Sequence, residues 1–194
     1  TATTEEFNVA FGSMNGYGSD DDGNDIKAPT EAIYKQYASI LLAPTEVTGG
    51  FKISQVGSHS GALSAKDEEI FVLSARRSNM KDRLNKGTWQ ISLTGSLSTG
   101  AGGTAGQTLI HLKDDSSTTN PTATPVGDRY NIVSCSSAGV IAAAATVRNF
   151  GFFYPDMGIM VFSQKELSGS IPGKHANLDT VVKMGAVDGQ TMSG

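Results

Sequence analysis

The chain has 194 residues and a mass of 20.2 kDa, enough for one full domain around a single core or for two very small ones. Lysine and arginine total 15 against 19 aspartates and glutamates, a net charge of -4, which removes the basic face that general nucleic-acid or anionic-membrane binding requires. One cysteine, Cys135, excludes an internal disulfide, and no apolar run approaches the roughly 18 residues of a membrane helix.

Charged residues make up 18% of the chain and glycine accounts for 23 positions, a turn-rich composition with fewer charges than the roughly 25% of an average domain. A hydrophobic share of 38% is too high for a disordered segment, so a soluble globular fold is expected. The sequence begins Thr1-Ala2-Thr3-Thr4 with no basic-then-apolar leader, which leaves processing, trimming or a place within a longer polypeptide equally open.

In chain order, Phe7, Val9 and Phe11 alternate at a period of two and predict a strand over 5–11 with one buried face. Gly12 to Asp25 is Gly-, Ser- and Asp-rich and predicts a surface loop. Pro29 suits the first turn of a helix, and Ile33, Tyr34, Tyr37, Ile40 and Leu41 recur at helical spacing until Pro44. One amphipathic helix over about 29–43 follows. Strands are predicted at Phe51 to Val56 and at Glu69 to Ser74, the latter apolar on both faces. Ser78 is placed to cap a helical turn through Leu84, with Gly87 as a left-handed exit into a strand over Thr88 to Leu93.

Gly95 to Gly106 is a low-complexity link, followed by a strand at Thr108 to Leu112 and a polar loop from Lys113 to Gly127. Tyr130 to Val133 is β-rich, and the β-branched residues of Gly139 to Val147 favour strand there. The sharpest signal is a hairpin, Phe150 to Phe162, turning on Pro155-Asp156-Met157-Gly158. The sum is a mainly β protein: an antiparallel sandwich or barrel with one packed amphipathic helix and long Gly/Ser/Thr-rich loops. Residues 1–165 form its single domain and 166–194 an extended C-terminal arm.

Reactive side chains do not gather along the chain. Ser78-x-x-Lys81 lacks the companion motifs of serine acyl-transfer enzymes, and His59, His111 and His175 have no metal-ligand spacing. Asp20, Asp22 and Asn24 alternate as in a calcium loop, with Glu31 where a bidentate carboxylate would fall. The sixth position is Asp25 rather than glycine, so a solvated acidic loop is the expected outcome. The groups Asp67-Glu68-Glu69 and Asp114-Asp115 are expected to be exposed loop acids rather than a glycosidase pair. No cofactor and no catalytic set is therefore predicted.

Arg76, Arg77, Lys81, Arg83 and Lys86 concentrate positive charge in an otherwise acidic chain. They form a solvated face or a docking patch for an acidic protein surface. Phe152, Phe153 and Tyr154 are a second contact candidate, with core packing as the alternative.

Four segments, Ile33 to Leu42, Ile70 to Leu93 with its Arg-x-x-x-Lys-Asp-Arg-Leu-Asn-x-Gly-x-Trp core, Asp128 to Ser134 and Phe150 to Phe162, together resemble virion structural proteins of T4-like contractile-tailed phages, cyanophages in particular. The resemblance implies a non-enzymatic subunit of tail or baseplate, assembled in the host cytoplasm and carried in the virion. Its partners would be other virion proteins and further copies of itself. The alternative is a carbohydrate- or receptor-binding β-sandwich of a tail fibre or adhesin, with a shallow aromatic site around Trp89 or Tyr17.

Overall fold

The strand-forming segments pair into one curled, wholly antiparallel sheet, and the fold is mainly β. The computed structural model describes residues 7–16, 29–47, 50–53, 66–94, 109–141 and 149–167. Its elements are β1 (Phe7–Ser13), α1 (Pro29–Leu41), α2 (Pro44–Val47), β2 (Glu69–Ala75), a 3-10 turn (Arg77–Asn79), β3 (Ile91–Thr94), β4 (Leu109–Asp114), β5 (Thr122–Thr124), β6 (Gly127–Cys135), β7 (Asn149–Tyr154) and β8 (Ile159–Ser163). Strand order is β1-β2-β8-β7-β6-β4-β3, with short β5 paired to β6 beyond the reach of β4.

The hairpin of β7 and β8 occupies the middle of this order, and every residue of both strands is buried. Successive side chains point to opposite faces, so the run Ile70-Phe71-Val72-Leu73 feeds two cores at once. Ile70, Val72, Phe152, Tyr154, Ile159 and Val161 face α1, where they meet Tyr34, Ala38 and Leu41. Phe71, Phe153, Met160 and Phe162 face the other way and meet Ile110, Leu112, Tyr130 and Ile132. Phe150 breaks the parity: Ile132 pairs with Gly151 but Val133 pairs with Asn149. The extra residue is a β-bulge that turns Phe150 onto the same face as Phe153.

Two glycines make the hairpin possible. Gly158 adopts φ 66° at the last turn position, and Met80 Sδ lies 2.4 Å from where its Cβ would be. At Gly151 a Cβ would lie 2.4 Å from the Val161 carbonyl oxygen and 3.1 Å from Ile132, so any side chain there pushes against backbone rather than a movable group.

Helix α1 begins at Pro29 and presents Tyr34, Ala38 and Leu41 to the sheet at helical spacing. It ends two residues earlier than predicted because Pro44 opens α2, although Leu42 still donates to the Ala38 carbonyl (3.0 Å). Phe51 and Ile53 are buried without forming a strand. Side chains replace the ladder: the Phe51 N–H donates to the Tyr34 hydroxyl and the Ile53 N–H to Asp67. The rest of that predicted strand lies outside the described residues. In the predicted strand at Gly139 to Val147, Ile141 makes a single bridge to Cys135 and residues 142–148 lie outside the described set. The predicted loop at Lys113 to Gly127 contains β5. Leu167 packs fully into the second core, two residues into the segment read as an arm; residues 168–194 lie outside the described set.

Candidate functional site

The cationic segment leaves β2 at Ala75, makes the 3-10 turn and is clamped onto the tip of the β7–β8 hairpin. Leu84 N–H donates to the Pro155 carbonyl (3.0 Å), and Ala75 N–H to that of Gly158 (2.8 Å). Arg77 Nη1 reaches the carbonyls of Asp82 (3.3 Å) and Asp156 (3.4 Å). Backbone and side-chain bonds thus fix the segment, while Arg76, Arg77, Lys81 and Arg83 remain exposed and form no ion pair with a described residue. Lys86 is drawn off, donating to the Tyr130 hydroxyl (2.7 Å) and lying over that ring. Ser78 caps nothing. The turn starts two residues earlier, with Arg76 at its N-cap and no side-chain cap, and Ser78 Oγ faces Asn79 instead.

Phe152, Phe153 and Tyr154 do not form a contact surface. Phe152 lies in the α1-side core with the Arg129 guanidinium 4.3 Å from its ring centre, and Phe153 lies in the opposite core with Trp89 edge-on at 5.3 Å. Tyr154 is equally buried, and that burial pushes its hydroxyl to a pKa of about 12 against the opposing pull of Arg129. Alternating apolar residues flanking a proline turn describe a core hairpin and a docking hairpin alike; burial on both faces decides the matter.

The acids are also placed differently from expectation. Asp67, Glu69, Asp114 and Asp115 are buried rather than exposed, and only Glu68 lies at the surface, accepting from Asn15 (3.1 Å). Asp67 accepts from Ile53 N–H (2.6 Å) and the Ser163 hydroxyl (2.5 Å), while its own carbonyl accepts from Tyr34 (2.9 Å). Asp114 takes the Gly87 N–H on both oxygens (2.9 Å each). Asp115 takes the backbone and side-chain N–H groups of Asn131 (2.9 and 2.8 Å). These carboxyls hold loops to strand ends, the use to which buried polar groups are commonly put.

The remaining candidates stay apart. His111 Nδ1 pairs with Ser92 Oγ (2.7 Å) across β3 and β4. Burial pushes the Cys135 thiol above its ordinary pKa, with Lys113 pulling weakly the other way, so the thiolate is disfavoured. Asp20, Asp22 and Asn24 lie outside the described residues, and Glu31 is paired with Lys35 one turn along α1. Among the described residues no group of three or more His, Cys, Asp and Glu is placed to hold a metal, and no helix is long and apolar enough to cross a membrane.

Tyr34 shares the behaviour of Tyr154: burial pushes its hydroxyl to about 12, with Phe51 N–H favouring ionisation and Asp67 opposing it. Both folded-state values exceed the unfolded value near 10. The stabilisation is therefore complete below pH 10 and is lost as pH rises toward 12, by on the order of 2 kcal/mol per tyrosine. In an alkaline absorbance titration, Tyr34 and Tyr154 should ionise late and together with unfolding. Complete tyrosine ionisation near pH 10 with the fold intact contradicts this.

A surface that pattern reading missed lies at the sheet edge. Strand β1 forms as predicted, but its odd-numbered face is not buried: Val9 is 68% and Phe7 42% exposed, and only Phe11 packs, against Phe71 at 5.2 Å. The one available signal was the absence of charge and proline from Phe7–Ser13. No family model, curated protein or solved structure matches the chain.

Proposed function

We propose that the chain is a structural subunit of a phage virion, of tail or baseplate type, that works by multivalent contact with neighbouring proteins rather than by catalysis. The observation that carries this reading is the presence of two separate exposed surfaces: the apolar edge of β1 and the rigidly clamped cationic turn of Arg76, Arg77, Lys81 and Arg83. Two contacts with different chemistry suit a subunit held between unlike neighbours, the arginine forks supplying geometric selectivity for an acidic partner. The virion assignment is supported by the four resembling segments, three of which supply the helix, the cationic turn and the central hairpin. Trp89, the aromatic candidate for glycan binding, packs edge-on against Phe153, which lends no weight to the fibre or adhesin alternative.

Gradient sedimentation of a native lysate tests the reading. The chain should travel with tailed particles in fixed stoichiometry, and Arg76→Glu with Arg83→Glu, both exposed and outside the clamp, should cut its incorporation at least tenfold while leaving its thermal melt unchanged. Recovery solely as a free chain, with no particle-bound fraction, refutes it.

A further inference from the structure

We propose that β1 is a self-pairing edge through which two copies of this chain join antiparallel about Val9, their sheets running into one. The inference rests on the assembling role proposed above and names one of its contacts. Among the described residues, strand β1 has a neighbour on one side only, β2. The ladder shows which backbone groups are free. Met14 N–H donates to the Glu68 carbonyl (2.7 Å), so even residues of β1 bond to β2, while Glu69 and Ala75 of β2 bond the other way, to Gln164 and Gly158. Antiparallel ladders alternate, and Phe7, Val9 and Phe11 therefore aim their N–H and C=O groups away from the sheet.

The same odd residues carry the exposed apolar side chains, Phe7 and Val9. The opposite face of β1 is closed by α1, whose Tyr34 backbone lies within about 3 Å of where a Gly12 Cβ would sit. Natural edges are commonly guarded by charge, proline or a bulge; Phe7–Ser13 has neither charge nor proline and pairs with β2 in unbroken register.

A second copy is the occupant because the outward pattern is a palindrome. Phe7, Val9 and Phe11 read the same in both directions, so antiparallel pairing centred on Val9 sets Phe7 opposite the other copy's Phe11 and Val9 opposite its twin. All of these are odd positions with free backbone groups, so each facing pair exchanges two hydrogen bonds while apolar side chains meet on one face. The contact is isologous, as two-fold symmetry demands.

Light scattering on the full chain should give twice the 20.2 kDa chain mass. Val9→Pro removes an outward N–H that β2 does not use, so it should halve the mass without lowering the thermal melt, whereas Ala10→Pro should lower the melt. In a Cys135→Ser background, Val9→Cys should form a disulfide dimer on mild oxidation, since facing hydrogen-bonded residues lie about 5.5 Å apart. Asn8→Cys, which faces Ala10 of the other copy, should not. A monomeric wild type, a mass unaffected by Val9→Pro, or no Val9→Cys crosslink overturns the proposal, the last also if a foreign strand occupies the edge. Should Val9→Pro still enter particles as a dimer, the edge assignment falls while the virion reading stands. A Val9→Cys crosslink in a chain never found in particles does the reverse.

Discussion

Asp67→Ala should cost about 3–5 kcal/mol, a large share of the 5–15 kcal/mol by which a domain is stable, read as a lowered urea midpoint. The side chain receives the Ile53 N–H and the Ser163 hydroxyl inside the protein, at a position only 1% exposed. Removing it strands both donors away from water, at roughly 1–3 kcal/mol each, and opens a small cavity. The effect spreads because Asp67 backbone groups also bond to Phe51 and Tyr34, and Asn149 holds the Ile53 carbonyl (3.0 Å). The Asp67 carboxyl thus ties residues 50–53 to β8, within a network in which Tyr34 ties them to α1 and Asn149 to β7. Asp67→Asn keeps one acceptor and should cost markedly less. Equal midpoints for Asp67→Ala and the wild type would show that the knot does not hold the sheet.

Phe153→Ala should lose about 3–5 kcal/mol, the usual range for emptying a large aromatic site in a core. Phe153 is wholly buried between Trp89, Tyr130 and Met160 on the face away from α1. Trp89 is the sole tryptophan, so its emission reports directly on the loss of its edge-on partner and should shift to the red as water enters. Phe153→Leu fills most of the volume and should retain the greater part of the stability. A contact-surface role makes the opposite forecast, with assembly impaired and the chain's own melt unchanged.

Much of the sheet was legible in local pattern. The β7–β8 hairpin could be read from a proline-fixed turn and a glycine at its strained position, and the two-faced burial of β2 from four consecutive apolar residues. Helix α1 was legible because its apolar spacing is periodic and prolines bound it. The acids were misjudged for a reason that pattern reading cannot repair: Asp67, Asp114 and Asp115 look like solvated loop residues until their partners, Ile53, Ser163, Gly87 and Asn131, are brought up from distant parts of the chain.

The proposed contact surfaces divide the same way. Residue type alone placed a cluster of positive charge after β2, and it stands exposed because the charges cannot be buried cheaply without partners. Whether an alternating apolar strand is covered depends on what lies beside it, which sequence periodicity does not encode. Thus Phe152, Phe153 and Tyr154, in the middle of the sheet, are sealed by α1 on one face and by β4 and β6 residues on the other, while Phe7 and Val9, at its edge, stay open. Local alternation and turn chemistry determined most of the segments that became strands; strand order, a product of long-range pairing, decided which apolar faces were left exposed.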